Sequence, residues 1–265
     1  MKLGFCSDIH LDHLHKKDLD IFIQNINSQN LDGLIISGDI SNGNYIVWHL
    51  TLLDEGINCP IYFVLGNHDF WGKSFNNVRS DISKMRHTRL NYLTLGDIYP
   101  LTNNTCLIGH DGWYDAENGN FAKSKFWPKG FPEFRYVDDL KYLPPDLLKQ
   151  TLVNITRQAS ENLQIKLDKA LSQYSIIYLA THVPPYREAS WHLGKISDDE
   201  GAPFFSNKII GEALTNKMLS YPDNKLIVLA GHTHSESIYN PIPNIHVYTS
   251  NAEYGAPCIY KVFDI

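Results

Sequence analysis

The sequence of 265 residues lacks a long hydrophobic run, which argues against a membrane protein. No apolar stretch approaches the roughly 18 residues that a transmembrane helix needs. The first residues, Met1 to Cys6, have the pattern of a strand. They do not form the charged and then apolar leader of a secreted chain. We therefore expect a cytoplasmic protein without a membrane partner.

Cysteine and positive charge are also scarce. The four cysteines form no CxxC pair, so the sequence predicts neither a disulfide framework nor a cysteine-ligated metal, and we expect reduced thiols. Lysine and arginine number 23 against 29 acidic residues, a formal net charge of −6. Because binding to nucleic acid depends on neutralising phosphates, this charge argues against nucleic acid as a partner. The charge gives no indication of oligomeric state.

The sequence does contain alternating strand and helix patterns. The hydrophobic fraction of 43% is ordinary for a globular chain, and we expect residues 1–265 to form a single α/β domain. In the N-terminal half, short apolar runs alternate with segments of helical spacing, which predicts parallel βαβ units. Closely spaced strand patterns after Leu90 and again over 237–263 predict two β-meanders.

One long segment fits neither pattern. Residues 111–142 are rich in aromatic side chains and have no clear strand or helix periodicity. Irregular segments of this length inside a compact domain are usually functional. We interpret this one as a lid-like insertion.

Five short motifs each follow a predicted strand. Polar residues that follow parallel strands meet in the crevice beyond the carboxyl ends of a sheet. Residues two apart share a face in an extended segment, so the Asp-x-His and His-x-His pairs are each expected to point into one small volume. The motifs are Asp8-Ile9-His10, Gly38-Asp39, Gly66-Asn67-His68-Asp69, Thr181-His182 and Gly231-His232-Thr233-His234.

The side chains in these motifs suit transition metals. Carboxylates and imidazoles together favour Mn, Fe or Zn over an all-oxygen Ca or Mg site. Asp39 follows a glycine that lets the backbone approach closely, and its carboxylate can bridge two ions about 3.5–4 Å apart. Each motif alone is weak, because Gly-Asp is a common turn and a lone strand-end histidine is usually structural. The ordered set predicts a centre with two divalent or trivalent ions.

The ordered pattern resembles the calcineurin-like metallophosphoesterase superfamily. The resemblance implies a mixed α/β fold, a four-layer αββα sandwich of two mixed sheets with the metal site at strand carboxyl ends. It implies that Asp8, His10, Asp39 and His234 hold one ion, and that Asp39, Asn67, His182 and His232 hold the other. It also implies that His68 is not a ligand but the catalytic side chain, acting on the leaving-group oxygen.

One position departs from relatives that act on phosphoproteins. Those relatives continue G-D-x-x-D-R-G, whereas this chain has Asn42 in place of the second Asp and no following Arg. The departure weakens a protein phosphatase interpretation and leaves open what orients His68. We expect Asp69 to brace its loop.

The function that these features predict is hydrolysis of a phosphomonoester or phosphodiester by a metal-bridging hydroxide. A small phosphorylated molecule or nucleotide is the expected substrate, so both phosphatase and phosphodiesterase activity stay open. A nuclease is one alternative, and a non-catalytic scaffold on the same fold is another. Six residues near predicted strand ends or motifs are candidates for substrate binding: His110, Asp111, Trp113, Tyr114, Arg187 and His192.

Overall fold

A computed structural model describes residues 1–126 and 131–265. The described residues form seven α-helices: α1 (Lys16–Ser28), α2 (Ile46–Gly56), α3 (Phe75–Ser83), α4 (Glu133–Tyr136), α5 (Pro145–Leu171), α6 (Ala202–Phe205) and α7 (Lys208–Leu219). Within the same ranges the strands are β1 (Lys2–Cys6), β2 (Gly33–Ser37), β3 (Ile61–Val64), β4 (Leu90–Tyr92), β5 (Tyr99–Pro100), β6 (Thr105–Gly109), β7 (Ile176–Ala180), β8 (Trp191–His192), β9 (Lys195–Ile196), β10 (Lys225–Ala230), β11 (Ser237–Tyr239), β12 (Ile245–Thr249) and β13 (Lys261–Asp264).

The strands form two large mixed sheets and one two-stranded sheet. The first large sheet has the order β13-β1-β2-β3-β4, with β1 to β4 parallel and β13 antiparallel to β1. The second has the order β11-β12-β10-β7-β6-β5, with four parallel central strands and antiparallel edges. The predicted parallel βαβ units are confirmed in the N-terminal half.

Alternating side chains on each strand build the layers. Leu3 and Phe5 of β1 pack between the two sheets with Tyr178 and Leu229 of the second sheet. Their neighbour Cys6 faces the other way, into the core beneath α1 and α2. The outer face of the second sheet packs against α5 and α7 in the same manner. The predicted four-layer αββα sandwich is confirmed.

The two predicted meanders are wrong as three-stranded units, although β5 with β6 and β11 with β12 form antiparallel pairs. β4 pairs in parallel with β3 of the first sheet, whereas β5 and β6 belong to the second sheet. At the C-terminus, β11 and β12 belong to the second sheet, whereas β13 pairs with β1 of the first sheet. A period of two identifies a strand, but it does not specify which distant strand completes its hydrogen bonds.

The described parts of the aromatic segment 111–142 pack as core. Phe131, Phe134, Val137 and Leu140 are buried, and Phe131 lies 4.8 Å from the Phe204 ring of α6. Burial therefore explains the aromatic composition that suggested a lid. Residues 127–130 of the segment lie outside the described residues.

Within the two described ranges, no helix combines the length and the hydrophobicity that crossing a bilayer requires.

Asp111, one of the candidates for substrate binding, joins the two sheets. Its buried carboxylate follows β6 and accepts hydrogen bonds from the Leu65 backbone after β3 and from the Arg79 guanidinium of α3. It also accepts from the hydroxyl groups of Tyr92, the last residue of β4, and of Thr94 just beyond it. Burial alone would raise the pKa of Asp111, but the Arg79 charge lowers it below its usual value. Both carboxylate oxygens are thus engaged within the fold.

Replacing Asp111 with alanine should destabilise the protein by about 3–5 kcal/mol at pH 7, because the partly buried Arg79 charge would lose its partner. Since the folded pKa is lowered, this stabilisation is complete above the unfolded pKa of about 3.9 and is lost as the pH falls through the folded pKa. Urea unfolding from pH 3 to pH 8 measures both effects. Asp97→Ala is the control, because its exposed pair with Lys169 should contribute less than about 1 kcal/mol. An equal loss in both variants would contradict the assignment.

Candidate metal centre

The carboxyl ends of both sheets deliver the candidate ligands to one place. Asp8, Asp39 and Asn67 follow β1, β2 and β3 of the first sheet, while His182 and His232 follow β7 and β10 of the second. All five are buried. Because these side chains are buried where the two sheets meet, their polar atoms interact with each other and not with water.

The backbone at the ligands is left-handed and not extended. The φ angles are 53° at Asp8, 39° at His10, 50° at Asp39, 72° at His232 and 54° at His234. The expectation that each residue pair shares the face of an extended segment is therefore wrong, although the side chains still converge. Residues other than glycine adopt this region at a cost of roughly 1–3 kcal/mol, and such strain is concentrated at functional sites.

Two motif glycines make room for the carboxylates. A Cβ at Gly66 would overlap Asp39 Oδ1, and a Cβ at Gly231 would overlap Asp8 Oδ2 and Ser7 Oγ. These glycines are required because the loops pass directly over the acidic side chains.

The first group of side chains consists of Asp8, His10, Asp39 and His234. One ligand atom from each lies within 4.8 Å of the others. The two imidazole Nε2 atoms of His10 and His234 are 3.1 Å apart, and His234 Nε2 lies 3.3 Å from Asp8 Oδ1. Asp39 enters through Oδ2, 3.9 Å from His10 Nε2.

The second group consists of Asp39, Asn67, His182 and His232. Asp39 enters this group through its other oxygen, Oδ1, 3.4 Å from His182 Nε2. Asn67 Oδ1 lies 2.9 Å from His182 Nε2 and 2.8 Å from His232 Nδ1. The Asp39 carboxylate is therefore common to both groups, with one oxygen in each.

Backbone carbonyls orient the two histidines of the second group. His182 Nδ1 donates to the Ser37 carbonyl and His232 Nε2 donates to the Phe204 carbonyl, each at 2.8 Å. These bonds turn the opposite ring nitrogens, His182 Nε2 and His232 Nδ1, towards Asn67 and the group. A hydrogen bond to the far nitrogen is the usual way that a protein fixes a metal-binding imidazole.

The charges of the groups also fit cations. Burial lowers the pKa of His10 and of His232 to about 4, which keeps both rings neutral. Burial would lower the pKa of His182 too, but the Asp39 carboxylate raises it to about 10. The carboxylates thus attract a positive charge at this point. Two carboxylates, an amide oxygen and four imidazoles in two groups fit a pair of ions of the Mn, Fe and Zn class.

His68 lies beside both groups. Its backbone N–H donates to Asp39 Oδ1 at 2.9 Å, and its Nε2 is 3.9 Å from Asp39 Oδ2. The ring stacks on the Trp71 indole with centroids 3.7 Å apart. Stacking and the backbone bond therefore orient His68.

The neighbouring Asn42 and Asp69 have other partners. Asn42 donates to Asp12 at 2.9 Å. Asp69 accepts from the backbone N–H groups of Ser41 and Gly66, which joins the loops after β2 and β3.

Three substrate candidates besides Asp111 are largely enclosed. Trp113 packs edge-to-face against Phe75, and the Tyr114 ring lies 6.0 Å from the His232 ring. His110 Nδ1 accepts from the Gly112 backbone, and burial lowers the pKa of His110 to about 4. These three side chains thus have contacts within the fold, with the Tyr114 ring beside His232.

Arg187 and His192 are partly exposed. Arg187 pairs with Asp199 at 2.8 Å and donates to the Ser197 carbonyl. His192 stacks on Phe205 at 4.7 Å, and Phe205 in turn lies 5.8 Å from His232. His192 is therefore one aromatic ring away from the second group.

Sequence reasoning missed three residues of the site. Glu133 is a buried carboxylate bonded to the Asn67 amide, and Trp71 lies beneath His68. Tyr254 is about half exposed, with its ring 4.4 Å from His10 and 4.9 Å from His234. Only Trp71, three positions after His68, carried a signal, namely its closeness to a motif.

Comparisons with known proteins extend this description. A family model described as calcineurin-like phosphoesterase matches residues 1–236. Among curated proteins, the sequence search finds no match. Similar solved structures include a phosphopantetheinyl hydrolase from Mycobacterium tuberculosis, with 17% identity, a TM-score of 0.67, and coverage of 96% of this chain and 89% of that chain.

Two further structures are similar at lower scores. A dimetal phosphatase from Danio rerio has 14% identity and a TM-score of 0.59, covering 97% of this chain and 88% of that chain. GAP50 of Plasmodium, described as the anchor in the inner membrane complex, has 12% identity and a TM-score of 0.54. The match covers 98% of this chain and 76% of that chain. Identities this low show the shared fold alone. Since the family model extends from the first strand through the last of the five motifs, the chain belongs to the calcineurin-like phosphoesterase family.

Proposed function

We propose that this protein hydrolyses a phosphate ester of a small molecule, using two transition-metal ions. The observation that carries the proposal is the pair of ligand groups that share the Asp39 carboxylate, one oxygen in each. Asp8, His10 and His234 would complete the site of one ion. Asn67, His182 and His232 would complete the site of the other.

The ions and the protein have separate tasks. When bound, two such ions act as Lewis acids on a phosphoryl oxygen and lower the pKa of water. The seven ligand side chains fix the geometry and exclude bulk water, because six of them are buried. With two negative side chains against two cations, the centre keeps an excess of positive charge. That excess favours an anionic phosphate.

We assign proton donation to His68. Its imidazole lies beside the ligands and is held by stacking on Trp71 and by the backbone bond to Asp39. Unlike the rings of His182 and His232, it donates no hydrogen bond to a backbone carbonyl in the part of the chain that the structure describes. A positioned imidazole that protonates a leaving-group oxygen contributes about 10²–10⁴-fold to the rate.

A panel of substrates and metals tests the proposed function. The purified chain, reconstituted with Mn, Zn or Fe, should bind two ions and hydrolyse at least one of p-nitrophenyl phosphate, bis-p-nitrophenyl phosphate, nucleotides or cyclic nucleotides. Elemental analysis and product release are the measurements. Two ions with cleavage of DNA or RNA alone would favour the nuclease alternative. Absence of bound ions would favour a scaffold and contradict the proposal.

His68→Ala should keep both ions and lose about 10²–10⁴-fold in kcat, because it removes the proton donor and no ligand. Asp39→Asn is the matched comparison, since it removes the shared carboxylate and should lower metal content itself. Metal analysis and steady-state kinetics on both variants separate the two roles. Full turnover by His68→Ala would refute the assignment.

Among the substrate candidates, we propose that His192 contacts substrate. His192→Ala should raise KM by about tenfold, the value of one charge-assisted hydrogen bond of about 1.5 kcal/mol, and leave metal content unchanged. His246→Ala is the control, because this partly exposed histidine of β12 bonds to Asn240. Identical KM values for the two variants would remove His192 from the site.

A further inference from the structure

Glu133 is a buried carboxylate that no motif of the sequence indicated. It begins α4, inside the aromatic segment, and only 1% of its surface is exposed. One oxygen, Oε1, accepts from the Asn67 amide nitrogen and from the Trp71 indole N–H. The other, Oε2, has no hydrogen-bond partner among residues 1–126 and 131–265.

The bond to Asn67 determines which end of its amide faces the ligand groups. The amide presents Oδ1 to His182 and His232, and only the oxygen end can bind a cation. A carboxylate can only accept hydrogen bonds, so Glu133 selects the orientation in which Nδ2 points away from the groups. In the opposite orientation two donors would face the second ion, and two oxygens would face each other at Glu133.

The bond to Trp71 determines the position of the surface beneath His68. Indole N–H is a donor without an acceptor, and here it is directed to the same Glu133 oxygen at 3.3 Å. The Trp71 ring lies parallel to His68 within 25°. One carboxylate oxygen therefore fixes both a ligand amide and the ring that supports His68.

Burial makes this arrangement costly for folding. A carboxylate removed from water with one oxygen unpaired lowers stability unless its remaining bonds offset the loss. An apolar residue would suit the surroundings better, since Phe131, Phe134 and Val137 of the same segment are buried nearby in sequence. A costly group that bonds two site residues suggests a role in the site.

We propose that Glu133 is a positioning residue that acts through Asn67 on the second ion site and through Trp71 on His68. The inference rests on the proposed two-ion centre. It assigns to the aromatic segment a direct part in the site, which the five motifs do not include.

Titration of the ion-free protein with metal tests the proposal by a measurement that does not depend on catalytic activity. In calorimetric titration with Mn²⁺, wild type should bind two ions, and Glu133→Ala should keep the first and bind the second about 10–100-fold more weakly. Glu133→Gln should restore most of that affinity, because its amide oxygen can still accept both bonds. Glu133→Asp, which withdraws the oxygen by one methylene, should be intermediate and serves if the alanine variant does not fold.

A double-mutant cycle tests whether Glu133 acts through Asn67. In Asn67→Ala no amide is left to orient, so adding Glu133→Ala should cause little further loss of affinity for the second ion. In the active protein, Glu133→Ala should lower kcat and leave KM nearly unchanged. Asp54→Ala is the control, because Asp54 is another buried carboxylate, bonded to the backbone of Thr88 and Arg89, and its loss should lower Tm without changing metal affinity.

The outcomes separate this inference from the proposed function. Wild type that binds no ion would refute the two-ion centre itself. Wild type that binds two ions, with Glu133→Ala equal to it, would overturn only the positioning role. The role would also be overturned if Glu133→Gln bound the second ion as weakly as Glu133→Ala, or if the effects of the Glu133 and Asn67 substitutions were additive.

Discussion

Two negative charges buried where two sheets meet set the constraint on which the rest of the site depends. Asp8 and Asp39 are almost inaccessible to water, and burying unpaired carboxylates is too costly to tolerate. Their partners must therefore be cations or donors brought by other strands. Strands from both sheets supply imidazoles. The backbone accepts left-handed conformations at five ligands, and glycines allow the loops to pass over the carboxylates.

The frame around these charges is held by a second buried carboxylate junction. Asp111 receives the backbone N–H of Leu65, the residue that precedes the Gly66-Asn67-His68 loop. The Lys166 ammonium of α5 donates to the carbonyls of Leu93, Thr94 and Gly109, at the crossing from the first sheet to the second. The loop that carries Asn67 and His68 is thus anchored on both sides. Asp69 fixes it to the loop after β2, and Asp111 fixes it to the end of β6.

The parts of the molecule that local pattern determines could be predicted from the sequence. The ordered motifs follow short apolar runs that predict strands, so the convergence of Asp8 and Asn67 at the carboxyl edge of the first sheet is a consequence of parallel topology. Pattern could not give the partners of β4 and β13, because strand pairing depends on contacts far apart in the chain. It could not give Glu133 either, since an acidic residue among aromatics has the same sequence signal whether it is solvated or buried.

The departure at Asn42 has a physical answer in this fold. Where an acidic residue is missing after Asp39, Asn42 turns to Asp12, and the orientation of His68 depends on the indole of Trp71. A flat ring restrains the plane of an imidazole but does not distinguish its two flipped orientations, whereas a hydrogen-bonded carboxylate would fix one nitrogen. His68 is therefore held less specifically than a histidine paired with an acid. Tyr254, half exposed and with its ring 6.4 Å from His68, is a second aromatic side chain near that ring.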